Sequence, residues 1–362
     1  MFYISYARML FGRDHMKGEM KAIMKKKPGL GAELVTVPIP KIGPRDILVK
    51  VKATSICGTD SHIYEWNAWA QRRIKPPRIM GHEFGGEVVE AGKDVTFVSI
   101  GDHVSAETHI VCNKCFQCRT GQAHVCQNVK ILGVDTDGCF AEYVAIPEEN
   151  AWVNDKKLPP EIAAIQEPFG NAVHTVFAEG VAGKTVAVFG LGPIGICAVA
   201  ICKAAGAAHV FAIGRKNEYR LDLAKKMGAD TVIKSNEQDV VKLVKEATGG
   251  SGVDVSLEMA GSQEAISQCF KVLKFGGRVS LLGLPPDKIT LDWADDIVFK
   301  AARIYGIAGR RMYGTWYTTA GLLKSGRVNV EPIITHKFKL EEFEKGMQLM
   351  HEGKCGKVVL YP

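Results

Sequence analysis

The sequence predicts an α/β protein with two domains, a β-rich domain followed by a doubly wound parallel sheet. The chain has 362 residues, enough for two domains. Short strands with frequent turns dominate from about Met20 to Asn154, whereas Ala, Gly and Val dominate from about Ala163 to Ala212. Strands and helices then alternate, which is typical of a parallel sheet covered by helices. We place the change of architecture near Pro168.

Composition excludes several other classes of protein. The chain is 46% hydrophobic and 23% charged, as globular proteins are. The net charge of +7 comes from 46 basic and 39 acidic residues without a block of about five like charges, so nucleic-acid binding is not indicated. No apolar run approaches the roughly 18 residues that span a bilayer. We predict a cytoplasmic protein.

The first fifteen residues are left out of the fold prediction. They lack the basic start and the small-residue cleavage site of a signal peptide. Met16 is a second plausible start, directly before a regular strand pattern. We therefore interpret residues 1–15 as a vector remnant or a misassigned start.

The stretch from Cys57 to Glu83 contains residue types that bind a catalytic zinc. Cys57 begins it, and His82 and Glu83 end it. Zn²⁺ accepts thiolate, imidazole and carboxylate ligands, and a catalytic site uses three of them and leaves one position open. Alone, Cys57 would more often be a small buried hydrophobe. The three residues together favour a metal site.

Four closely spaced cysteines predict a second, closed zinc site. Cys112, Cys115 and Cys118 are separated by two residues each, and Cys126 follows after seven more. In a cytosolic chain such spacing indicates metal binding rather than disulfides. Four thiolates complete a tetrahedral shell, so this zinc would stabilise the fold. We interpret the scattered cysteines as packing residues; they are Cys139, Cys197, Cys202, Cys269 and Cys355.

A glycine turn between a strand and a helix predicts dinucleotide binding. The apolar strand Lys184–Phe189 leads into Gly190-Leu191-Gly192-Pro193-Ile194-Gly195, and Ile196–Ala205 continues as an apolar helix. The first glycine permits the tight turn, the second lets the backbone approach a pyrophosphate, and the third allows close helix packing. A glycine pattern alone is a weak signal, but here it lies in the required context.

Further elements are predicted along the second half of the chain. After residue 307 the strand–helix alternation stops, and the final elements could extend the parallel sheet or return to the first domain. Composition leaves both possibilities open. The predicted strands are His209–Ile213, Val253–Glu258, Arg278–Leu282 after Gly276-Gly277, Ile304–Ile307, Ile333–Phe338 and Lys357–Leu360, and the helices are Asn217–Met227 and Leu340–His351.

These motifs together resemble the zinc-dependent medium-chain dehydrogenase family, from about Lys21 to Leu360. The resemblance implies a GroES-like catalytic domain over residues 16–167 and 309–362, a Rossmann dinucleotide-binding domain over residues 168–308, and an active site in the cleft between them. It rests on Cys57-Gly58-Thr59-Asp60, Gly81-His82-Glu83, the four-cysteine group, Glu167-Pro168 and the turn from Gly190 to Gly195.

Three stretches resemble more narrowly the family members that oxidise L-threonine. They are residues 62–71 (HIYEWNAWAQ), residues 108–112 (THIVC), and Gly309-Arg310 with Thr315-Trp316-Tyr317. The resemblance implies zinc-dependent oxidation of L-threonine to L-2-amino-3-oxobutanoate in threonine degradation, with hydride transfer to NAD, by a homotetramer. One departure is Gly314, which stands where these members usually have Glu.

The resemblance also implies the roles of individual residues. Thr59 and His62 would carry the substrate proton to solvent, and Glu167 would lie beside the catalytic zinc. Two zinc ions per subunit are expected, one held by Cys57, His82 and Glu83 and the other by Cys112, Cys115, Cys118 and Cys126. Cofactor contacts are expected at Gly190, Gly192, Pro193, Ile194, Gly195, Arg215, Arg220, Leu282, Gly283, Leu284, Ile307 and Ala308.

The residue after the second strand of the dinucleotide fold bears on the choice of cofactor. An acidic residue about 20 positions past the glycine turn usually binds the adenosine ribose of NAD. This chain has Gly214-Arg215-Lys216 there, and Arg215, with Arg220 nearby, would suit the 2′-phosphate of NADP. The resemblance favours NAD. We predict NAD as the working cofactor, with tolerance of NADP.

Two other functions stay in consideration. A polyol (sorbitol-type) or other secondary-alcohol dehydrogenase of the same family would share the zinc and cofactor residues, but not Trp66–Gln71 or Thr315–Tyr317. A zinc-knuckle binding protein would need neither Gly81-His82-Glu83 nor a doubly wound second half.

Overall fold

The structure is a computed structural model that describes residues 17–362, so the interpretation of residues 1–15 lies outside the described residues. Within that range no helix is long and apolar enough to cross a membrane. The strands are β1 (Glu19–Lys25), β2 (Glu33–Pro38), β3 (Asp46–Ser55), β4 (Arg78–Ile79), β5 (Glu83–Ala91), β6 (His103–Ala106), β7 (His109–Ile110), β8 (Lys130–Ile131), β9 (Tyr143–Pro147), β10 (Ala151–Val153), β11 (Thr185–Phe189), β12 (His209–Gly214), β13 (Thr231–Lys234), β14 (Val253–Glu258), β15 (Leu273–Leu281), β16 (Arg303–Gly306), β17 (Ile334–Lys339) and β18 (Lys357–Tyr361). The helices are α1 (Gly58–Glu65), α2 (Ala68–Arg73), α3 (Phe116–Arg119), α4 (Pro160–Ala164), α5 (Gln166–Val176), α6 (Pro193–Ala204), α7 (Glu218–Lys226), α8 (Val240–Ala247), α9 (Gln263–Lys271), α10 (Gly314–Lys324) and α11 (Phe343–His351).

The first half of the chain forms the predicted β-rich architecture. A seven-stranded sheet has the order β10-β6-β5-β3-β18-β17, with β9 also paired to β3, and a three-stranded sheet has the order β2-β1-β4. β3 is central, and its residues Ile47, Val49 and Val51 are buried in the same core as Phe84 and Val88 of β5. The alternation of apolar residues along β3 therefore marks a strand whose apolar side chains face a core.

The last part of the chain returns to this sheet. β18 pairs antiparallel with β3 through Val359–Ser55 and Leu360–Thr54, and β17 pairs parallel with β18. Of the two possibilities that composition left open, the structure therefore shows the return that the resemblance implied.

The middle of the chain forms a six-stranded parallel sheet with the order β13-β12-β11-β14-β15-β16. Along β11, Val186 and Val188 belong to the core that contains α6, whereas Ala187 and Phe189 belong to the core that contains α9. Both faces are covered by helices, which explains why this strand is apolar throughout. Ligands of such sheets bind beyond the carboxyl ends of the strands where the strand order reverses, here between β11 and β14.

Two local features differ from the prediction. Gly276 and Gly277 lie inside β15 rather than before it, because the strand begins early and its pairing with β14 shifts register. Helix α10 lies where the alternation of elements was expected to stop; its sequence is rich in Thr, Gly and Tyr, which are modest or poor helix formers. Pro168, the predicted change of architecture, lies in the first turn of α5, where proline is tolerated. The domain boundaries themselves stay a prediction.

Candidate active site

Cys57, His82 and Glu83 lie together at the edge where β3 and β5 pair. Ser55 at the end of β3 is opposite Glu83 at the start of β5, and Cys57 is the N-cap of α1. One ligand atom from each of the three residues lies within 4.8 Å of the others. Cys57 is half-buried, and the other two side chains are buried. The pairing of the two strands thus brings together residues that are 25 positions apart in the sequence.

Asp60 faces the imidazole of His82. Oδ2 of Asp60 accepts a hydrogen bond of 2.8 Å from the Cys57 amide, while Oδ1 lies 3.9 Å from Nδ1 of His82. Burial raises the pKa of Asp60 to about 6, although His82 and the Cys57 amide act in the opposite direction. With Nδ1 directed at Asp60, Nε2 is the nitrogen left for a metal.

The carboxylate of Glu83 is shared between two donors. Its Oε2 accepts hydrogen bonds from Oγ of Ser55 and from Nζ of Lys357, and Lys357 also donates to the Ile56 carbonyl at 2.9 Å. Neither Ser55 nor Lys357 was predicted from the sequence. A lysine at the start of an otherwise apolar strand was the one available signal for Lys357.

The donor set fits zinc. Oε1 of Glu83 and Oε2 of Glu167 are buried without a hydrogen-bond partner among residues 17–362. Buried polar atoms without a partner are rare and destabilising, so a ligand is expected to satisfy them. Thiolate, imidazole and carboxylate are the ligand types of catalytic zinc sites.

Glu167 lies in the first turn of α5. One of its oxygens accepts a hydrogen bond from Nη1 of Arg310. Arg310 is fully buried and also binds Glu107 with two hydrogen bonds, Nε to Oε2 at 2.9 Å and Nη2 to Oε1 at 2.6 Å. Such a two-pronged guanidinium–carboxylate pair is strongly directional.

The Arg310–Glu107 pair joins two of the three stretches that resemble threonine-oxidising enzymes, residues 108–112 and the stretch that contains Arg310 and Trp316. Arg310 donates to Oγ1 of Thr108 at 2.9 Å, and Nε1 of Trp316 donates to Oε2 of Glu107 at 2.8 Å. Burial raises the pKa of Glu107, but Arg310 and His109 outweigh it and hold this pKa well below its ordinary 4.5. Sequence reasoning missed Glu107, which lies 203 positions from Arg310.

The four cysteines predicted to bind zinc form one cluster. Sγ of Cys115 lies 3.4 Å from Sγ of Cys118 and 3.7 Å from Sγ of Cys126, and Sγ of Cys126 lies 3.5 Å from Sγ of Cys112. These distances exclude disulfide bonds. The Lys114 amide and the Asn128 side chain lower the pKa of Cys112 to about 5. Donors directed at sulfur favour thiolates, so the cluster fits a tetrahedral zinc.

Thr59 and His62 lie three residues apart on α1. Oγ1 of Thr59 is 3.8 Å from Sγ of Cys57. His62 is exposed, and its Nδ1 lies 2.8 Å from Nδ2 of Asn67. Thr59 thus lies beside Cys57 and His62 lies at the surface, and the proton relay through the two residues stays a prediction.

A cavity of about 330 Å³ opens at the carboxyl ends of β11 and β12. Four predicted cofactor residues line it, Gly190, Gly192, Arg215 and Arg220. It is also lined by Asn217 and Ser235, which the sequence analysis did not assign to the cofactor. The other predicted cofactor residues lie outside this lining, at the start of α6 or just beyond β15 and β16; they are Pro193, Ile194, Gly195, Leu282, Gly283, Leu284, Ile307 and Ala308.

Glycine is expected at two positions of the turn for two different physical reasons. A Cβ built on Gly195 would lie 1.8 Å from the carbonyl oxygen of Gly190, so helix α6 can pack against the turn only with glycine at this position. A Cβ built on Gly192 would meet open space. Only a ligand that approaches the backbone would require glycine at position 192.

Comparisons with known proteins agree with this geometry. The family model "Alcohol dehydrogenase GroES-like domain" matches residues 43–156, and the model "Zinc-binding dehydrogenase" matches residues 193–325. The L-threonine 3-dehydrogenase of Caldanaerobacter subterraneus subsp. tengcongensis is 58% identical over 348 residues, which cover 96% of this chain and 100% of that protein. The chain belongs to the zinc-dependent medium-chain dehydrogenase family.

Solved structures resemble this medium-chain dehydrogenase over almost its whole length. A Sinorhizobium meliloti protein described as a zinc-binding dehydrogenase, bound to NADP, matches with a TM-score of 0.88 at 32% identity, covering 95% of this chain and 100% of that one. A "short chain alcohol dehydrogenase" of E. coli CFT073 complexed with NADH matches with a TM-score of 0.86 at 28% identity, covering 95% and 99%. The predicted GroES-like and parallel-sheet architecture of the dehydrogenase is confirmed.

Proposed function

We propose that this dehydrogenase oxidises L-threonine to L-2-amino-3-oxobutanoate, a step of threonine degradation. A network of buried hydrogen bonds carries the proposal. Arg310 donates to Thr108, to Glu107 and to Glu167. Trp316 also donates to Glu107. Thr108, Arg310 and Trp316 belong to the stretches that resemble threonine-oxidising enzymes. The 58% identity to an L-threonine 3-dehydrogenase over its entire length supports the same activity.

Two zinc ions per subunit are part of the proposal. Cys57, His82 and Glu83 would hold the catalytic ion, and the four-cysteine cluster would hold the structural one. The catalytic ion, when bound, supplies a Lewis acid that lowers the pKa of the substrate hydroxyl. The protein's part is to fix the ligands: Asp60 orients His82, and Ser55 and Lys357 hold Glu83.

The proton of the substrate hydroxyl would leave through Thr59 and His62. A hydroxyl can accept and donate at once, and Oγ1 of Thr59 lies beside the metal-binding Cys57. The exposed imidazole of His62 can pass the proton to water.

Selection of an amino acid over a plain alcohol requires partners for its charges. A buried ammonium without a partner is strongly disfavoured. Oε2 of Glu167 is buried, without a hydrogen-bond partner in the described part of the chain, and is available for that ammonium. This carboxylate is held in place by Arg310, so its position is fixed before the substrate arrives.

NAD is the proposed cofactor, with tolerance of NADP. The glycine turn and the cavity beyond β11 and β12 support dinucleotide binding. Arg215 lines the cavity but is exposed, so its guanidinium can turn towards a 2′-phosphate or into solvent. The solved relatives include an NADP complex and an NADH complex, so both cofactors occur on this fold.

Self-association as a homotetramer is proposed as well. β16 is an edge strand of the parallel sheet, and its Ile304 is 41% exposed. Trp293, Val298 and Phe299, which precede β16 in the chain, are 71%, 55% and 68% exposed. An open strand edge beside exposed apolar side chains favours pairing with a second copy.

A cytoplasmic location is the remaining part of the proposal. All ten cysteines are unpaired, and four of them form the cluster that fits zinc. Free thiols in such number suit a reducing compartment.

The deciding experiment is a substrate panel with the purified protein. We expect kcat/KM for L-threonine to exceed that for 2-butanol, sorbitol and 2,3-butanediol by several orders of magnitude, because a site built to bind charged groups rejects analogues that lack them. A flat preference across alcohols would favour the polyol-type alternative. If fluorescence measurements detect no NADH binding, the zinc-knuckle alternative is favoured.

A further inference from the structure

Lys357 places a buried ammonium against the carboxylate that faces the metal-binding group. The side chain is 4% exposed, and its two hydrogen bonds go to Oε2 of Glu83 and to the Ile56 carbonyl. Ser55 donates to the same Oε2, so this oxygen already has two donors. A metal ion at Cys57, His82 and Glu83 would therefore compete with Lys357 for the charge of Glu83.

The segment just before Lys357 is bound to the cofactor cavity. Nδ2 of Asn217 donates to the Gly353 carbonyl, and Nε of Arg220 donates to the Cys355 carbonyl at 3.2 Å. Asn217 and Arg220 both line the cavity. A Cβ on Gly353 would lie 2.8 Å from Nδ2 of Asn217, so the contact is close. Residues 353–357 thus span the distance from the dinucleotide cavity to the metal-binding carboxylate.

We propose that residues 353–357 couple dinucleotide binding to metal binding, with Lys357 as the positioning residue that sets how strongly Glu83 holds the metal. A dinucleotide that contacts Asn217 or Arg220 shifts the Gly353 and Cys355 carbonyls, and Lys357 follows because it is two residues from Cys355. Coupling of two binding equilibria is reciprocal, so the metal alters dinucleotide affinity by the same factor. The inference rests on the proposed metal and cofactor sites, but not on the identity of the substrate.

The test measures Co²⁺ affinity at the Cys57 site, through the thiolate–cobalt absorption band, with and without saturating NADH. The protein keeps its structural zinc throughout. Lys357→Met should tighten Co²⁺ binding by roughly tenfold, because a competing positive charge is removed, and should abolish the effect of NADH. Lys357→Arg keeps the charge and should keep both properties of the parent. Lys337→Met is the matched control, because Lys337 is half-exposed on the adjacent strand β17 and pairs with Glu161.

A second variant protects the test against misfolding of Lys357→Met. Asn217→Asp keeps the oxygen that accepts from the Arg220 amide and caps α7, but removes the donor to Gly353. It should keep the parent's Co²⁺ affinity without NADH and lose the NADH effect. The inference is overturned if the parent shows no NADH effect, if Lys357→Met keeps it, or if a folded Lys357→Met binds Co²⁺ within twofold of the parent. Parent protein that shows the coupling but does not oxidise threonine would refute the proposed function alone.

Discussion

Oδ1 of Asp60 lies 3.9 Å from Nδ1 of His82, and within residues 17–362 neither atom has a hydrogen-bond partner. A carboxylate that faces one imidazole nitrogen favours the other nitrogen as a metal ligand, so we expect Asp60 to help orient the ring of His82, the proposed metal ligand. Asp60→Asn keeps the size of the side chain but removes its charge, so we expect metal affinity to fall about 10–100-fold. Competition with a chelator measures the metal affinity of the parent and of the variant. Asp239→Asn, at the cap of α8, is the control and should match the parent.

The glycine turn allows two alanine substitutions to be told apart. Gly195→Ala places a Cβ 1.8 Å from the Gly190 carbonyl and should destabilise the fold itself, seen as a lower thermal midpoint. Gly192→Ala meets only open space in the protein and should keep the parent's midpoint. It should weaken NADH binding, because the added methyl group lies where the pyrophosphate approaches. Equal NADH affinity in Gly192→Ala and the parent would mean that the cofactor does not approach this backbone.

Stability should depend on pH through Glu107. Its folded-state pKa lies below the ordinary 4.5, so its ionised form contributes stability above pH 4.5 that is lost as the pH falls through the folded value. Glu107→Gln should lower the unfolding free energy at neutral pH by about 3–5 kcal/mol, because Arg310 keeps a buried charge with one partner fewer. The difference from the parent should shrink in acid.

Urea unfolding at neutral and acidic pH measures the difference in unfolding free energy between the parent and Glu107→Gln. Glu341→Gln, which breaks a surface pair with Lys21, should have little effect at either pH. A constant difference between the parent and Glu107→Gln across the acidic range would contradict the pKa assignment.

The cofactor preference should respond to Arg215. We expect the parent to use NAD and to accept NADP, and Arg215→Asp to lose NADP activity while NAD activity is kept, because a carboxylate repels a 2′-phosphate. The measurement is kcat/KM with each cofactor. A parent preference for NADP of about tenfold or more would overturn the NAD proposal. An unchanged ratio in the variant would mean that Arg215 does not face the ribose.

Loss of a ligand should have different consequences in the two proposed zinc sites, the four-cysteine cluster and the group around Cys57. Cys115→Ser should lower the thermal midpoint by roughly 10 °C, because the energy of a structural zinc is folding energy. Cys57→Ser should abolish turnover and leave the midpoint and NADH affinity close to those of the parent. Metal analysis should find two zinc ions in the active parent; one ion in fully active protein would refute the division.

The sequence predicted the features that lie within short motifs. The glycine turn, the four cysteines and the pair His82-Glu83 each occupy a few adjacent positions, and their chemistry is visible in residue types. The fold class followed from the alternation of strands and helices and is confirmed. Roles assigned to single side chains, such as those of Thr59 and Arg215, stay predictions.

What the sequence did not reveal are contacts between distant positions. Lys357 meets Glu83 across 274 positions, and Glu107 meets Arg310 across 203. The sequence alone does not show whether a lysine or a glutamate is buried or exposed. Lys357 reaches the proposed metal-binding group only because β18 pairs with β3. Helix α10 was missed because its residues are weak helix formers. The helix is stabilised by packing of Trp316 and Thr319 in the interior, which the sequence does not show.

The pairing of β18 with β3 also orders events during synthesis. The six-stranded sheet uses residues 185–306 and can close before β17 and β18 have been synthesised. The seven-stranded sheet cannot close so early, because β18, which pairs with β3, consists of Lys357–Tyr361 and is made after every strand of the six-stranded sheet. The carboxylate of Glu83 is therefore synthesised 274 residues before its lysine partner, and the proposed metal-binding group is completed only after the six-stranded sheet has been made.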